Sequence, residues 1–523
     1  MNRRQFLQLN ALALASTSLS YASNDMQNHH MTHTMNHSNI DAVNTDTSFI
    51  TLAPKTQLLD EKAFERGVDL ASLELLKNES KESNFFRASI EIAENEKEFI
   101  KGKKTHCFTY NGLVPGPKIE VYEGDTVEIL VKNKLKEPTT IHWHGLPVPP
   151  EHDGNPHDAI APNRERIYRF QLPENSAGTY WYHPHPHFLS SKQVAKGLAG
   201  VFVVKAKKDA LSHLKERDLM ISDLRLDEKA QIPENTLLDW LNGREGEFVL
   251  INGQFQPQIT FNEAERIRIY NCCAARYLNL RIQGVQFVLV GTDGGLLEKP
   301  QLLKELFLSP ASRVEVLLQP TKKGQFELET VYYNRNKMLV QEKQNTLTLA
   351  SISIQHTTAA YPQTLRKFQP LKQAKAFKEI QMSEANMMKL HSLDDANVFN
   401  SENEKEIKTV LASMFLLNGK TFDIKRIDLH SKLNEVEEWI VTNNSHMDHP
   451  FHIHGTQFEL ISSKINGKVQ KAEFRSLKDT INVRPNEELR LRMVQNFTGT
   501  RMYHCHILEH EDLGMMGNLE VEE

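Results

Sequence analysis

From about residue 85 onward the chain runs in short β-branched and aromatic stretches separated by turn signals, a pattern that predicts a mostly β body. Three segments repeat this pattern weakly: YNGLVPGPKIEVYEGDTVEILVKN at 110–133, INGQFQPQITFNEAERIRIYNC at 251–272, and LNGKTFDIKRIDLHSKLNEVEEWIVTN at 417–443. Each opens on an Asn-Gly turn and continues into two strand-like runs. Copies spaced this widely fit three homologous β-sandwiches of Greek-key type and not a solenoid, whose repeat is far shorter. The 523 residues agree with that count at ~150 residues per domain.

The expected architecture is therefore all-β, with sandwiches at 85–205, 206–365 and 366–523. The first boundary falls where GVFVVKAKKDALS loses its strand character, and the second in the polar, proline-interrupted stretch HTTAAYPQTLRKFQPLKQAKAF. Residues 380–408 are charged and partly helical in pattern, and read as an insertion at the start of the third domain. Residues 56–82, within an N-terminal extension covering 23–84, look polar and helical.

The first 22 residues read as an export signal, with Arg3 and Arg4 ahead of a moderately apolar run that ends in small residues. Arg-Arg followed by Gln-Phe-Leu resembles a twin-arginine signal, which implies a bacterial periplasmic protein. The run is too short to span a bilayer and no later segment approaches that length, so a soluble, monomeric mature protein is expected, with no membrane partner. Behind the signal, residues 24–39 gather His29, His30, His33 and His37 with Met26, Met31 and Met35, soft ligands that suit copper, especially Cu(I). The net charge of −5 shows no concentrated basic patch, and nucleic acid is not an expected partner.

Four cysteines exclude a disulfide scaffold, and adjacent Cys272 and Cys273 are expected to be free thiols. Cys505 stands apart because histidines flank it. Four His-X-His pairs run through the sequence: His142 and His144, His183 and His185, His452 and His454, His504 and His506. On a strand, residues i and i+2 share a face with roughly 7 Å between their Cα atoms, so each pair can offer two imidazoles to the same or adjacent metal ions. Eight imidazoles exceed what one zinc site uses. A copper cluster between the first and third domains accommodates them. A second ligand set is written over the same segment: His449, Cys505, His510 and Met515 supply two imidazoles, a thiolate and a thioether, as in a blue-copper centre. Strand alternation turns Cys505 away from His504 and His506, so one tripeptide can serve both centres.

With HWHG, HPH, HPFHIHG and HCHILEHEDLGM in this order, the sequence over about 85–523 resembles the multicopper oxidases, specifically the bacterial periplasmic copper-efflux or cuprous oxidases. The resemblance implies three cupredoxin domains and four coppers. His449, Cys505, His510 and Met515 would hold the type 1 copper, and His142 and His452 the type 2 copper. His144, His183, His185, His454, His504 and His506 would hold the type 3 pair. It also implies one-electron oxidation of a reductant, with electrons passing through Cys505, coupled to four-electron reduction of dioxygen to water. Asp153 and Glu511 match carboxylates that relay protons in the family. His152, His187 and His446 match no ligand position.

The reductant is less directly written. Cuprous oxidases cover the type 1 site with a methionine-rich insertion that binds Cu(I), and the insertion here holds only Met382, Met387 and Met388. Met382 and Met447 match substrate-site methionines, while Met387 and Ser445 stand where aspartates are expected. The expectation is a thioether-rich Cu(I) docking site of Met382, Met387 and Met447. The alternatives are a laccase-like oxidase of phenols, aromatic amines, Fe(II) or Mn(II), and a non-catalytic copper-binding cupredoxin protein.

Overall fold

The computed structural model describes residues 46–357, 360–386 and 401–523. The export segment, the His/Met-rich stretch at 24–39, Met387 and Met388 lie outside them.

The repeat organises the molecule. In each copy the Asn-Gly pair places both residues in the left-handed region: Asn111 and Gly112 at φ 53° and 71°, Asn252 and Gly253 at 51° and 80°, Asn418 and Gly419 at 50° and 73°. Asparagine tolerates that region and glycine enters it freely, which makes Asn-Gly the favoured tight turn between strands. Of the two strands that follow, the first pairs in parallel with the last strand of its unit: Ile119–Tyr122 with Gly200–Lys205, Gln258–Phe261 with Leu347–Ile354, and Leu429–Lys432 with Met516–Glu522. The second crosses to the facing sheet and pairs in parallel with the unit's first strand. Thr126–Asn133 joins Phe85–Ile100, Glu265–Asn271 joins Lys215–Leu224, and Val436–Asn443 joins Ala376–Glu384. The result is three pairs of sheets, of four and four, seven and five, and six and five strands.

Alternation fills the space between the sheets. In Thr126–Asn133, Val127, Ile129 and Val131 turn inward and are fully buried, while their neighbours are half-exposed. Each such side chain contributes about 1.5–3 kcal/mol by leaving water. The third core is the broadest, because Ile50 of the N-terminal extension and Trp240 and Leu241 of the middle unit pack into it beside Cys505 and Met515.

Two local expectations are corrected. Residues 56–82 are not helical: they run extended, with one short turn of 3-10 helix at Glu61–Ala63. Leu58 bridges to Asp227, Asp69 to Gln258 and Leu75 to Lys118, so the backbone finds its hydrogen bonds on neighbouring sheets. The segment lacks an apolar stripe at helical spacing, and a short helix without one is not stable. Nor are residues 380–384 part of an insertion. They end the strand Ala376–Glu384, where Ile380 and Met382 are buried and Gln381 between them is exposed. The helix lies later, at Ser401–Leu411, and Ile407, Val410 and Leu411 anchor it in the third core.

Ile129→Ala should cost about 2–5 kcal/mol, because it empties a fully buried position. Ile167→Ala on the adjoining strand, 54 % exposed, should cost within about 0.5 kcal/mol. Denaturant midpoints of the two variants measure the contrast.

Candidate metal centre

The first and third units bring the four histidine pairs together. In the first, His142–His144 pairs antiparallel with Gly178–His183, setting His142 opposite His183. In the third, His449–Ile453 pairs with Gly499–Cys505, setting His452 opposite His504 and Phe451 opposite Cys505. Only His142 and His144 share one strand. His185, His454 and His506 lie just past the ends of theirs, yet ring centroids within the four pairs are 5.1–6.1 Å apart. All eight imidazoles are fully buried.

Their nitrogens converge in three groups. His142 Nε2 and His452 Nε2 face each other at 3.4 Å. His504 Nε2 lies 3.2 Å from His185 Nε2 and 3.0 Å from His454 Nε2. His144 Nδ1 lies 3.4 Å from His183 Nε2, with His506 completing that group. Main-chain carbonyls set several of these ring orientations. The Nδ1 atoms of His142, His452, His183 and His504 lie 2.8–3.0 Å from the carbonyls of Asp153, Asp479, Pro184 and Cys505. A carbonyl only accepts, so Nδ1 carries the hydrogen and the Nε2 lone pair points into the cluster.

The second centre forms on the far side of Cys505. Its Sγ is 3.4 Å from His449 Nδ1 and 4.0 Å from His510 Nδ1, and the two ring nitrogens are 3.4 Å apart. Met515, fully buried in the same core, takes the Cys505 amide hydrogen on its carbonyl at 3.0 Å. The helix Leu237–Asn242, started by a capping box of Thr236 and Asp239, brings the Leu241 carbonyl 3.2 Å from His510 Nε2. Phe415 lies flat on His510, with centroids 3.7 Å apart at 17°.

Both expected carboxylates sit against the cluster. Asp153 places Oδ1 3.2 Å from His142 Nδ1 and Oδ2 3.1 Å from His454 Nδ1. Glu511 places Oε1 3.5 Å from His185 Nε2 and Oε2 3.3 Å from His504 Nδ1. Burial and the neighbouring Asp512 push the Glu511 carboxyl well above its ordinary value. The residues set aside in the sequence lie off the cluster. His187 stacks on Phe188 at 3.5 Å, and His152 Nδ1 accepts from the Arg169 amide.

Several neighbours of the two centres carried no signal in the sequence. Asp479 Oδ1 and Thr480 Oγ1 lie 3.1 and 3.0 Å from His144 Nε2, across 335 and 336 residues of chain. Near the Cys505 centre, Glu384 Oε1 is 3.5 Å from His449 Nε2, and its other oxygen is 2.5 Å from His446 Nδ1. A carboxylate thus stands near the outer face of His449, supplied from the strand that the sequence pattern assigns to the insertion. Ser445, where an aspartate was expected, instead closes the local turn through the Met447 carbonyl at 2.9 Å.

Copper fits these donors. Neither ring nitrogen of His506 has a hydrogen-bond partner among the described residues, and an unpaired buried polar atom costs about 1–3 kcal/mol. Burial and neighbouring rings push His144, His183, His185, His452, His454 and His506 well below the usual imidazole value, and burial with His142 nearby brings His504 to about 3. Neutral rings keep their lone pairs. Burial raises the Cys505 thiol, so its thiolate needs a bound cation to exist there.

Imidazole clusters joined to a thiolate centre between all-β units define a copper-dependent oxidase. The chain belongs to the multicopper oxidase family, whose profiles match residues 91–209, 220–357 and 380–523. Multicopper oxidase mco of Staphylococcus aureus is 33 % identical over 452 residues, covering 84 % of this chain and 90 % of that protein. A solved multicopper oxidase from Campylobacter jejuni, described as a metallo-oxidase, is 68 % identical with a TM-score of 0.87, covering 91 % of this chain and all of that one. A laccase from Pediococcus acidilactici is 28 % identical with a TM-score of 0.72, covering 90 % of this chain and all of that one. The fold is cupredoxin-like, and the protein is an oxidase that uses copper, dioxygen and a reductant. Among the described residues no helix is long and apolar enough to cross a membrane.

The glycine that follows His144 is a sensitive point. Gly145 has φ 83°, and a Cβ there would lie 2.0 Å from Asp479 Oδ2. Gly419→Ala, with φ 73° but open space around it, should cost about 1–2 kcal/mol from backbone strain alone. Gly145→Ala should cost about 2–4 kcal/mol, because the clash adds to that strain. Thermal unfolding of the two variants separates the terms.

Proposed function

We propose that this protein is a periplasmic oxidase of Cu(I) that protects its cell from copper, passing electrons singly from the substrate and four at a time to dioxygen, which becomes water. In this reading His449, Cys505, His510 and Met515 hold one copper and His142 with His452 a second. The groups His144, His183 and His506, and His185, His454 and His504, hold the remaining two. When bound, copper supplies one-electron chemistry beside Cys505 and multi-electron reduction of dioxygen among the imidazoles.

The chain's own groups perform the rest. The peptide from Cys505 to its two histidine neighbours is a covalent path of a few bonds between the centres. Phe415 and the helix Ser401–Leu411 keep water from the Cys505 side. Glu511, whose burial favours the protonated carboxyl, is placed to carry a proton beside His185 and His504. Asp153 orients His454 and is the second candidate for proton delivery.

The observation that carries Cu(I) as substrate is what stands outside His449. His446, its side chain 31 % exposed, meets Glu384, and Glu384 meets His449, while Met382 and Met447 are buried in the core around them. Imidazole and carboxylate form a short file from the surface to the electron acceptor, and the two thioethers share the core with Cys505, a donor type that favours Cu(I) over harder ions. The description of the Campylobacter jejuni relative as a metallo-oxidase supports this reading. The second reading, a laccase-like oxidase of phenols, aromatic amines, Fe(II) or Mn(II), has the likeness to the Pediococcus acidilactici laccase in its favour. Export to the periplasm is supported by the twin-arginine-like start of the sequence.

Replacing Met382, Met387 and Met447 together by leucine should raise the KM for Cu(I) by about tenfold or more, the equivalent of one lost contact of ~1.4 kcal/mol, with phenol oxidation and the blue absorption unchanged. Unchanged saturation by Cu(I) would reject the docking site. Cys505→Ser should abolish the blue absorption and oxygen uptake while leaving the copper held by imidazoles in place, which metal analysis and visible spectra report.

A further inference from the structure

The middle unit supplies no imidazole to the cluster, yet one of its side chains reaches it. Arg313, first residue of the strand Arg313–Pro320, is fully buried. It grips Asp479 with both arms, Nη1 donating to Oδ1 at 2.7 Å and Nη2 to Oδ2 at 2.5 Å. Two further donors go to fixed backbone: Nε to the Thr179 carbonyl at 2.8 Å and Nη1 also to the Ala311 carbonyl at 2.7 Å. Thr179 belongs to the strand that carries His183. One guanidinium therefore touches all three units at the edge of the cluster.

The consequence falls on His144. Both Asp479 oxygens accept from Arg313, and Oδ1 also accepts the Thr480 hydroxyl at 2.9 Å. Gripped at both oxygens, the carboxylate has no hydrogen to offer. His144 Nε2, 3.1 Å from Oδ1 with Thr480 Oγ1 beside it at 3.0 Å, therefore faces an acceptor and is the N–H of its ring. Its bare nitrogen is then Nδ1, on the side of His183 and His506. His142, His183, His452 and His504 do the opposite, anchoring Nδ1 on a carbonyl and presenting Nε2. The ring of His144 is turned the other way round, and the main chain does not hold it there. Gly145 belongs to the same device, since a Cβ on it would also lie 2.8 Å from Arg313 Nη2.

We propose that Arg313 is a positioning residue for the copper cluster: by gripping Asp479 in one orientation it fixes the tautomer of His144, and so makes the motif-free middle unit part of the metal site. The planar fork is what the task requires, because a lysine ammonium offers a point charge and cannot hold two oxygens in one plane. The inference rests on the reading of His144 as a copper ligand.

The test uses the copper-loaded full chain as wild type, Arg313→Lys, Arg313→Met, the double variant Arg313→Met with Asp479→Asn, and His144→Ala. Each sample is measured for copper per chain, near-ultraviolet absorption of the coupled coppers, blue absorption of the Cys505 centre, and thermal unfolding. Arg313→Met should keep the blue band, which reports a folded third unit, while its cluster copper is lost to a chelator about 10–100-fold more readily and the near-ultraviolet band falls. Arg313→Lys should lie between it and wild type. The double variant removes the unpaired buried carboxylate and should recover the unfolding midpoint, but not the near-ultraviolet band, because an amide can turn either end toward His144. A full band in Arg313→Met, or its return in the double variant, would mean that the arginine only neutralises a buried charge, and would overturn the proposal. If Arg313→Met fails to fold, the double variant decides. His144→Ala guards the premise: an undiminished band there overturns the ligand reading, whatever the arginine does.

Discussion

Eight uncharged imidazoles buried in one place, some from positions 310 residues apart, are the constraint around which the molecule is arranged. Such rings gain nothing from being together without a cation, since each has left water and its neighbours oppose protonation. Backbone keeps half of them in register: carbonyls of Asp153, Pro184, Asp479 and Cys505 each hold one ring by its hydrogen. The carbonyls of Pro184, Asp479 and Cys505 lie in or beside strands and Asp153 closes a short 3-10 turn, so the precision of the cluster is inherited from the two sandwiches that supply it. A local error in a strand near the cluster is an error in the aim of a lone pair.

Much of this was legible in the sequence because its signals are short-range. An Asn-Gly turn followed by two strand-like runs is a local pattern, and its three copies mark the three paired-sheet units. The His-X-His pairs and the Cys505 segment are likewise compact, and the structure draws His142, His144, His183, His185, His452, His454, His504 and His506 into one cluster and His449, Cys505 and His510 into another. What was not legible depends on partners remote in the chain. Nothing near Arg313 or Asp479 announces that they meet across 166 residues, and Glu384 reads as one more charge in a polar stretch until the sheet sets it beside His449. Residues 56–82 misled for the same reason: their backbone partners lie on other units, so a polar pattern was read as helix.

The division of labour among the units also differs from what motif counting suggests. The first and third carry the clustered histidines and Cys505, while the middle unit has no such motif. It nonetheless supplies the Leu241 carbonyl to His510, the packing of Trp240 beside the Cys505 core, and Arg313 at the cluster edge. The cluster is bordered by all three units and the Cys505 centre by the second and third, although the histidine and cysteine motifs stand in only two.

The surroundings of Cys505 would constrain a copper held there. Its sulfur receives the Ile507 amide hydrogen at 3.4 Å, His510 is held between the Phe415 ring and the Leu241 carbonyl, and every one of these groups is buried. A frame so closed leaves its side chains little slack. A copper held by His449, Cys505 and His510 would then gain or lose an electron with little movement of the groups around it.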